Sequence, residues 1–192
     1  KALCKVAHDA SMTVHMDGAR FANGLASLGA TPAEMTWKSG VDVLSFGGTK
    51  NGCLAAEAVV FFKPELVGDF PFLHKRSGQL ISKMRFVSAQ LEAYIANDVW
   101  LRNARHANTM AARLSAGMSA LPGIELAYPT ESNEIFAHMS RQVINRLAVS
   151  GFIVTEGELD ETAPPRFVTA WNTTDFEIDE FLAALTAATN TP

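Results

Sequence analysis

Three short apolar runs, residues 12–16, 41–46 and 57–62, lie close together near the start of the chain. Helical spacing fills the gap between the first two. Phe21, Leu25 and Leu28 mark one helix face that stops at Gly29, where a glycine ends a helix at little steric cost. Thr31-Pro32-Ala33-Glu34 then opens a short helix to about Ser39, with a threonine cap, proline in the first helical position and glutamate placed to bond back. Strands separated by helices predict a layered α/β domain. In open sheets of that class ligands collect at the strand ends. The residues that follow the first two runs are therefore the first place to look for chemistry.

After the second run comes Phe46-Gly47-Gly48-Thr49-Lys50-Asn51-Gly52. Its glycines let the backbone turn sharply and approach a ligand closely. A lysine amine held in such a turn, once partly desolvated, becomes a nucleophile towards carbonyls. Lys50 is thus a candidate for a Schiff base with a flat, aldehyde-bearing cofactor; its alternative is an ordinary solvated turn. The glycine spacing and missing hydroxyl neighbour exclude a nucleotide phosphate loop.

After the first run comes His15-Met16-Asp17-Gly18-Ala19-Arg20. Asp17 is expected at the end of a buried strand, where it either pairs with a pyridinium N–H or caps the next helix. Arg20 either grips a carboxylate in a two-pronged contact or remains a surface cation. If the two strands are neighbours, Asp17 and Lys50 share one sheet edge.

Farther along, residues 64–121 read as mostly helical, with a polar loop at 75–79, a long stretch from about Leu80 and a bend near Asn97-Asp98. Pro122-Gly123 breaks the pattern. Strands are then expected at 124–127, 134–139, 152–156 and 166–171, with a helix at 141–150. A second capping box, Thr174-Asp175-Phe176-Glu177, opens the last helix. The predicted division is 1–95 as part of a large α/β domain, 96–121 as a connecting helix, and 122–192 as a small α+β subdomain.

The net charge is only −4 over 192 residues, which argues against nucleic-acid or membrane-surface binding. No apolar stretch has the ~18 residues of a membrane span. Cys4 and Cys53 have neither metal nor redox spacing, so no metal is expected and a reduced cytoplasmic setting is the default. His8, His74, His106 and His138 lie outside any motif and are expected to be structural or exposed, and His15 to be hydrogen bonded beside its strand. Met35, Trp37, Phe61, Phe62, Phe70 and Phe72 are expected in the core or an oligomer contact.

Taken together, HMDGAR and FGGTKNG, with a helix pair between them, resemble the threonine aldolase family of pyridoxal-phosphate enzymes, in particular its low-specificity, phenylserine-aldolase-like branch. The similarity continues through CLAAEAVVFF and HKRSGQLISKMRF, is strong over 12–95 and looser after Pro122. It implies the aspartate-aminotransferase-like fold (fold type I), a partial large domain plus a C-terminal α+β subdomain. It implies pyridoxal 5′-phosphate as cofactor, bound covalently by Lys50 with Asp17 at the pyridine nitrogen. Arg20 and Arg166, the latter in Arg166-Phe167-Val168-Thr169, become ligands of the substrate carboxylate. Ala170-Trp171 follows where many relatives have histidine. Arg85 matches an arginine that reaches the cofactor phosphate of a neighbouring subunit. Phe86 departs from the glutamine that often follows it, and Lys83 and Arg76 compete for the phosphate.

The implied reaction splits the Cα–Cβ bond of L-threonine, L-allo-threonine or another β-hydroxy-α-amino acid into glycine and an aldehyde, in a homodimer or homotetramer with shared active sites. The family's glycine-rich phosphate segment and its ring-stacking residue fall before Lys1, so the chain is expected to be the C-terminal part of a longer enzyme, its N-terminal segment lost or present as a separate chain. Such a piece is expected to bind cofactor poorly. Another fold-type-I enzyme, a β-eliminating lyase or aminotransferase, would keep the same lysine and aspartate. A non-catalytic α/β interaction domain would keep the turn without the chemistry.

Overall fold

The computed structural model describes residues 1–154 and 163–190. The chain divides into two compact units, Lys1–Asn103 and Ala104–Pro192. In the first, helix α1 (Ala2–Asp9) leads to strand β1 (His15–Gly18), helix α2 (Phe21–Leu28), the one-turn helix α3 (Pro32–Met35) and strand β2 (Val43–Gly47). Strand β3 (Glu57–Phe61), helix α4 (Phe70–Arg76) and helix α5 (Arg85–Ile95) follow. Helix α6 (Val99–Ser119) carries the chain across the dividing point.

Local chemistry sets these boundaries. Gly29 adopts a left-handed conformation, φ 60°, and its N–H closes α2 on the Leu25 carbonyl. The Thr31–Glu34 capping box is complete in both directions. The bend after α5 falls at Asn97 and Asp98, both at positive φ, which these short polar residues tolerate better than most.

β1 and β2 pair in parallel, from His15 opposite Val43 to Gly18 opposite Phe46. β3 runs antiparallel to β2, with Gly47 opposite Glu57 and Ser45 opposite Val59. Alternation then gives the sheet two distinct faces. Leu44 and Phe46 point to a core in which Phe46 meets Phe21, Tyr94 and Trp100 at ring separations of 5.9, 6.1 and 6.0 Å. His15, Asp17, Ser45, Glu57 and Val59 occupy the opposite face.

Several expectations change here. The first strand starts at His15 rather than residue 12, because Met12 N–H bonds to the Ala7 carbonyl and Ser11 takes φ 58°, wrapping the chain around the end of α1. It is also not buried: His15 and Asp17 are exposed, since β1 is an edge strand whose second face is uncovered. The helical stretch expected from Leu80 begins only at Arg85. Trp37 and Phe72 are exposed, so of the two places expected for them, core or oligomer contact, the core of this chain is excluded.

In the second unit, β4 (Glu125–Leu126), β5 (Glu134–His138) and β6 (Arg166–Val168) form an antiparallel sheet in that order. Helices α7 (Arg141–Val149) and α8 (Asp175–Asn190) complete it. Met118, Ile135, Leu147 and Leu185 are its fully buried centre. The Thr174–Glu177 capping box opens α8. Residues 152–154 form no strand; the rest of the strand expected at 152–156 lies outside the described residues. The strand expected at 166–171 stops at Val168, because the Thr169 hydroxyl donates to the Ala107 carbonyl at 2.7 Å and turns the backbone to α6. No helix among the described residues is long and apolar enough to cross a membrane.

Candidate active site

Because β1 and β2 are parallel neighbours, Asp17 and Lys50 stand at the same end of the sheet, each just before or after the point where its strand ends. Two glycines bring these ends together. A Cβ on Gly47 would lie 2.7 Å from the Ala19 carbonyl oxygen and 2.8 Å from Ala19 Cα. A Cβ on Gly18 would lie 2.6 Å from the Ser45 carbonyl oxygen. Real Cβ atoms do not approach backbone so closely, so only glycine permits the contact. The Asp17 and Lys50 turns therefore abut, backbone on backbone.

Lys50 itself is exposed in a one-turn 3-10 helix, Thr49–Asn51. The bonds around it hold that turn from several directions. Gly48 N–H donates to the Ala56 carbonyl, and the Gly48 carbonyl accepts from Asn51 and Cys53 N–H. Glu57 accepts from Thr49 N–H at 3.2 Å, and the Thr49 hydroxyl accepts from Ala56 N–H. The Gln90 side chain on α5 accepts from Leu54 and Ala55 N–H at 2.9 and 3.1 Å. Below the turn, buried Asn51 donates to the Tyr94 hydroxyl and the Trp100 carbonyl. Burial pushes the Tyr94 phenol up to about 12 against the opposing Asn51 hydrogen bond, so it stays protonated at neutral pH. Burial and the Glu57 charge push the Cys53 thiol up as well, which leaves it a poor nucleophile.

The uncovered sheet face is the floor of a cavity of about 840 Å³. Asp17, Ser45, Glu57 and Val59 line it from the strands, and α4 and α5 wall it with apolar residues such as Leu73, Val87 and Leu91. Asp17 accepts from Ala19 N–H through one oxygen, Oδ1, at 2.9 Å. An ionised carboxylate has further lone pairs to offer. His15 shares a 2.8 Å hydrogen bond with Ser45 on the same face, the hydrogen-bonded role expected of it.

The arginines separate. Arg20 caps the start of α2, directly after the Asp17 turn. Arg85 is the exposed first residue of α5 and is not among the cavity's lining residues, whereas Arg76 is. His74, outside any motif, also lines the cavity and stacks on Phe70. In the second unit, Arg166 begins β6 and pairs with Glu134 at 3.1 Å. Among the described residues no group of His, Cys, Asp and Glu is arranged to hold a metal ion.

A second polar centre lies at the other end of β2. Asp42, buried just before the strand, accepts from Val14 N–H at 2.8 Å and pairs with His8 at 2.8 Å and Lys63 at 2.7 Å. Burial alone would raise its pKa. The Lys63, Val14 and His8 contacts outweigh burial and hold the carboxyl well below the usual range. The sequence signal was present but ambiguous: an acid inside the apolar run at 41–46 that no periodicity places on a solvent face.

Comparison with known proteins agrees with this geometry. The family model described as "Beta-eliminating lyase" matches residues 1–142. A low specificity L-threonine aldolase of Pseudomonas sp. is 42% identical over 97% of this chain and 54% of its own length. One from Pseudomonas aeruginosa is 43% identical over 90% of this chain and 49% of its own. The threonine aldolase structure from Leishmania major superposes with a TM-score of 0.83 at 27% identity, over 96% of this chain and 54% of that one. An Escherichia coli cysteine desulfurase shares the fold at a TM-score of 0.65 and 19% identity. The chain spans about half the length of the curated relatives it matches. Its fold is that of the fold-type-I pyridoxal-phosphate enzymes, and the chain belongs to the beta-eliminating lyase family.

Proposed function

We propose that this chain serves a pyridoxal-phosphate-dependent aldolase that cleaves a β-hydroxy-α-amino acid, L-threonine or L-allo-threonine among them, into glycine and an aldehyde. The observation that carries this reading is the juxtaposed pair of turns, a carboxylate on one and a lysine on the other, locked by Gly47 against Ala19. The names of the relatives support the same reaction.

The residues fit the cofactor. The cavity is within the roughly 300–1,000 Å³ of small-molecule sites, its floor offers the acceptor Asp17 and its wall the cation Arg76, while Lys50 stands outside its lining on the turn that abuts the Asp17 turn. Lys50 would hold the cofactor aldehyde covalently, and Asp17 would keep a proton on the ring nitrogen. When bound, the cofactor supplies an electron sink for the carbanion left by Cα–Cβ cleavage. Arg20 and Arg166 would orient the substrate through its carboxylate, which fixes the bond to be broken. In the same reading the protein is a cytoplasmic homo-oligomer, dimer or tetramer, with shared sites. Arg85, exposed and not among the cavity's lining residues, would serve the phosphate of a neighbouring subunit.

Protein of the relatives' full length that contains this chain is expected to show, with pyridoxal phosphate, a visible absorbance band that Lys50→Ala abolishes, and to form glycine and benzaldehyde from phenylserine; this chain by itself is expected to take up the cofactor poorly. A band that survives in Lys50→Ala overturns the assignment of Lys50. β-Elimination is the second reading, favoured by the family match itself; a keto acid and ammonia as products in place of glycine would select it.

A further inference from the structure

Asn51 follows Lys50 directly yet is only 3% exposed. Both hydrogens of its side-chain amide are used, one on the Tyr94 hydroxyl at 2.6 Å and one on the Trp100 carbonyl at 2.8 Å. The Trp100 carbonyl can only accept, which fixes the way the amide faces. The Asn51 backbone carbonyl accepts from Asn103 at 2.9 Å. An apolar residue filling the same space beside apolar partners would give comparable stability. What the polar network adds is a single conformation for the turn.

We propose that Asn51 and Tyr94 are positioning residues for Lys50, pinning the end of the 3-10 turn so that the amine emerges from a fixed base. This inference rests on the cofactor reading above. A misplacement of about 1 Å at a reacting group can lower rate about a hundredfold, so a lysine on an exposed turn needs such an anchor. The anchor reaches it from α5 and the start of α6, and no part of it touches the cavity. Tyr94 and Asn51 therefore act only through Lys50.

The test compares wild type with Asn51→Leu and Tyr94→Phe in the full chain. The tyrosine variant removes one hydroxyl and preserves the core, so it carries the test if the asparagine variant does not fold. Hydrogen exchange at the Asn51 and Cys53 amides, both bonded to the Gly48 carbonyl, reads the turn without any cofactor. Borohydride trapping of pyridoxal phosphate, followed by peptide mapping, reads the label on Lys50 relative to exposed Lys38. Exchange is expected to rise, and Lys50 preference to fall, by about tenfold in Tyr94→Phe, the effect of roughly one lost buried hydrogen bond, and by more in a folded Asn51→Leu, which loses two. Either readout unchanged overturns the inference. Wild-type labelling with no preference for Lys50 overturns the cofactor reading and the inference with it; a preference that survives both variants overturns the inference alone.

Discussion

Replacing Asp42 with asparagine tests the charge at the foot of β2. Asparagine keeps the volume and, with its oxygen in the place of Oδ2, the acceptor shared by Val14 N–H and His8, but turns an N–H₂ towards Lys63. Removing one partner of a fully buried pair costs about 3–5 kcal/mol, because the charge left behind cannot reach water. Here the Lys63 and His8 side chains are 47% and 35% exposed, so both can rehydrate, and the expected loss is about 2 kcal/mol at pH 7. The pH dependence follows from the depressed pKa. Such a group contributes its full stability above its unfolded value, about 3.9, and loses it as pH falls through the lower folded value. Urea unfolding at pH 7, 4 and 3 should show a constant gap between wild type and variant down to about pH 5 that narrows in acid. A variant as stable as wild type at pH 7, or a gap that does not narrow on acidification, refutes the reasoning.

Gly47→Ala forces a Cβ against the Ala19 backbone, and neither strand can yield cheaply. We expect a loss of about 1–3 kcal/mol in urea unfolding, with weaker cofactor uptake as the two turns are pushed apart; an unchanged urea midpoint would exclude the contact. Thr174→Ala removes the cap of α8 and should lower the thermal midpoint by the equivalent of about 1 kcal/mol, a change absent if the helix start is held by packing alone.

Features carried by adjacent residues were legible in the sequence: both capping boxes, the glycine that stops α2, the Asn97-Asp98 bend and the lysine turn. Each is set within a few residues of chain. The placement of Asp17 and Lys50 at one sheet edge was foreseen as a possibility, and the parallel register of β1 and β2 realises it. Asp42 was not legible as a centre, because its partners His8, Val14 and Lys63 come from three separate segments. The same holds for Asn51, whose value depends on Tyr94 and Trp100; Arg76, by contrast, was already weighed as a phosphate ligand, and it lines the cavity from α4. The exposed face of β1 was misjudged because the apolar run around it resembles a strand covered on both sides.

The backbone contact between the Asp17 and Lys50 turns has a consequence for redesign. With no side chain between Gly47 and Ala19 or between Gly18 and Ser45, the two turn backbones are already in contact, and any side chain added at Gly47 or Gly18 must push them apart. The seating of the two turns is thus fixed by the scaffold, whereas Leu73, Val87 and Leu91 stand on the cavity walls apart from that contact. Libraries that aim to reshape the cavity should diversify those walls and leave the four contact positions untouched.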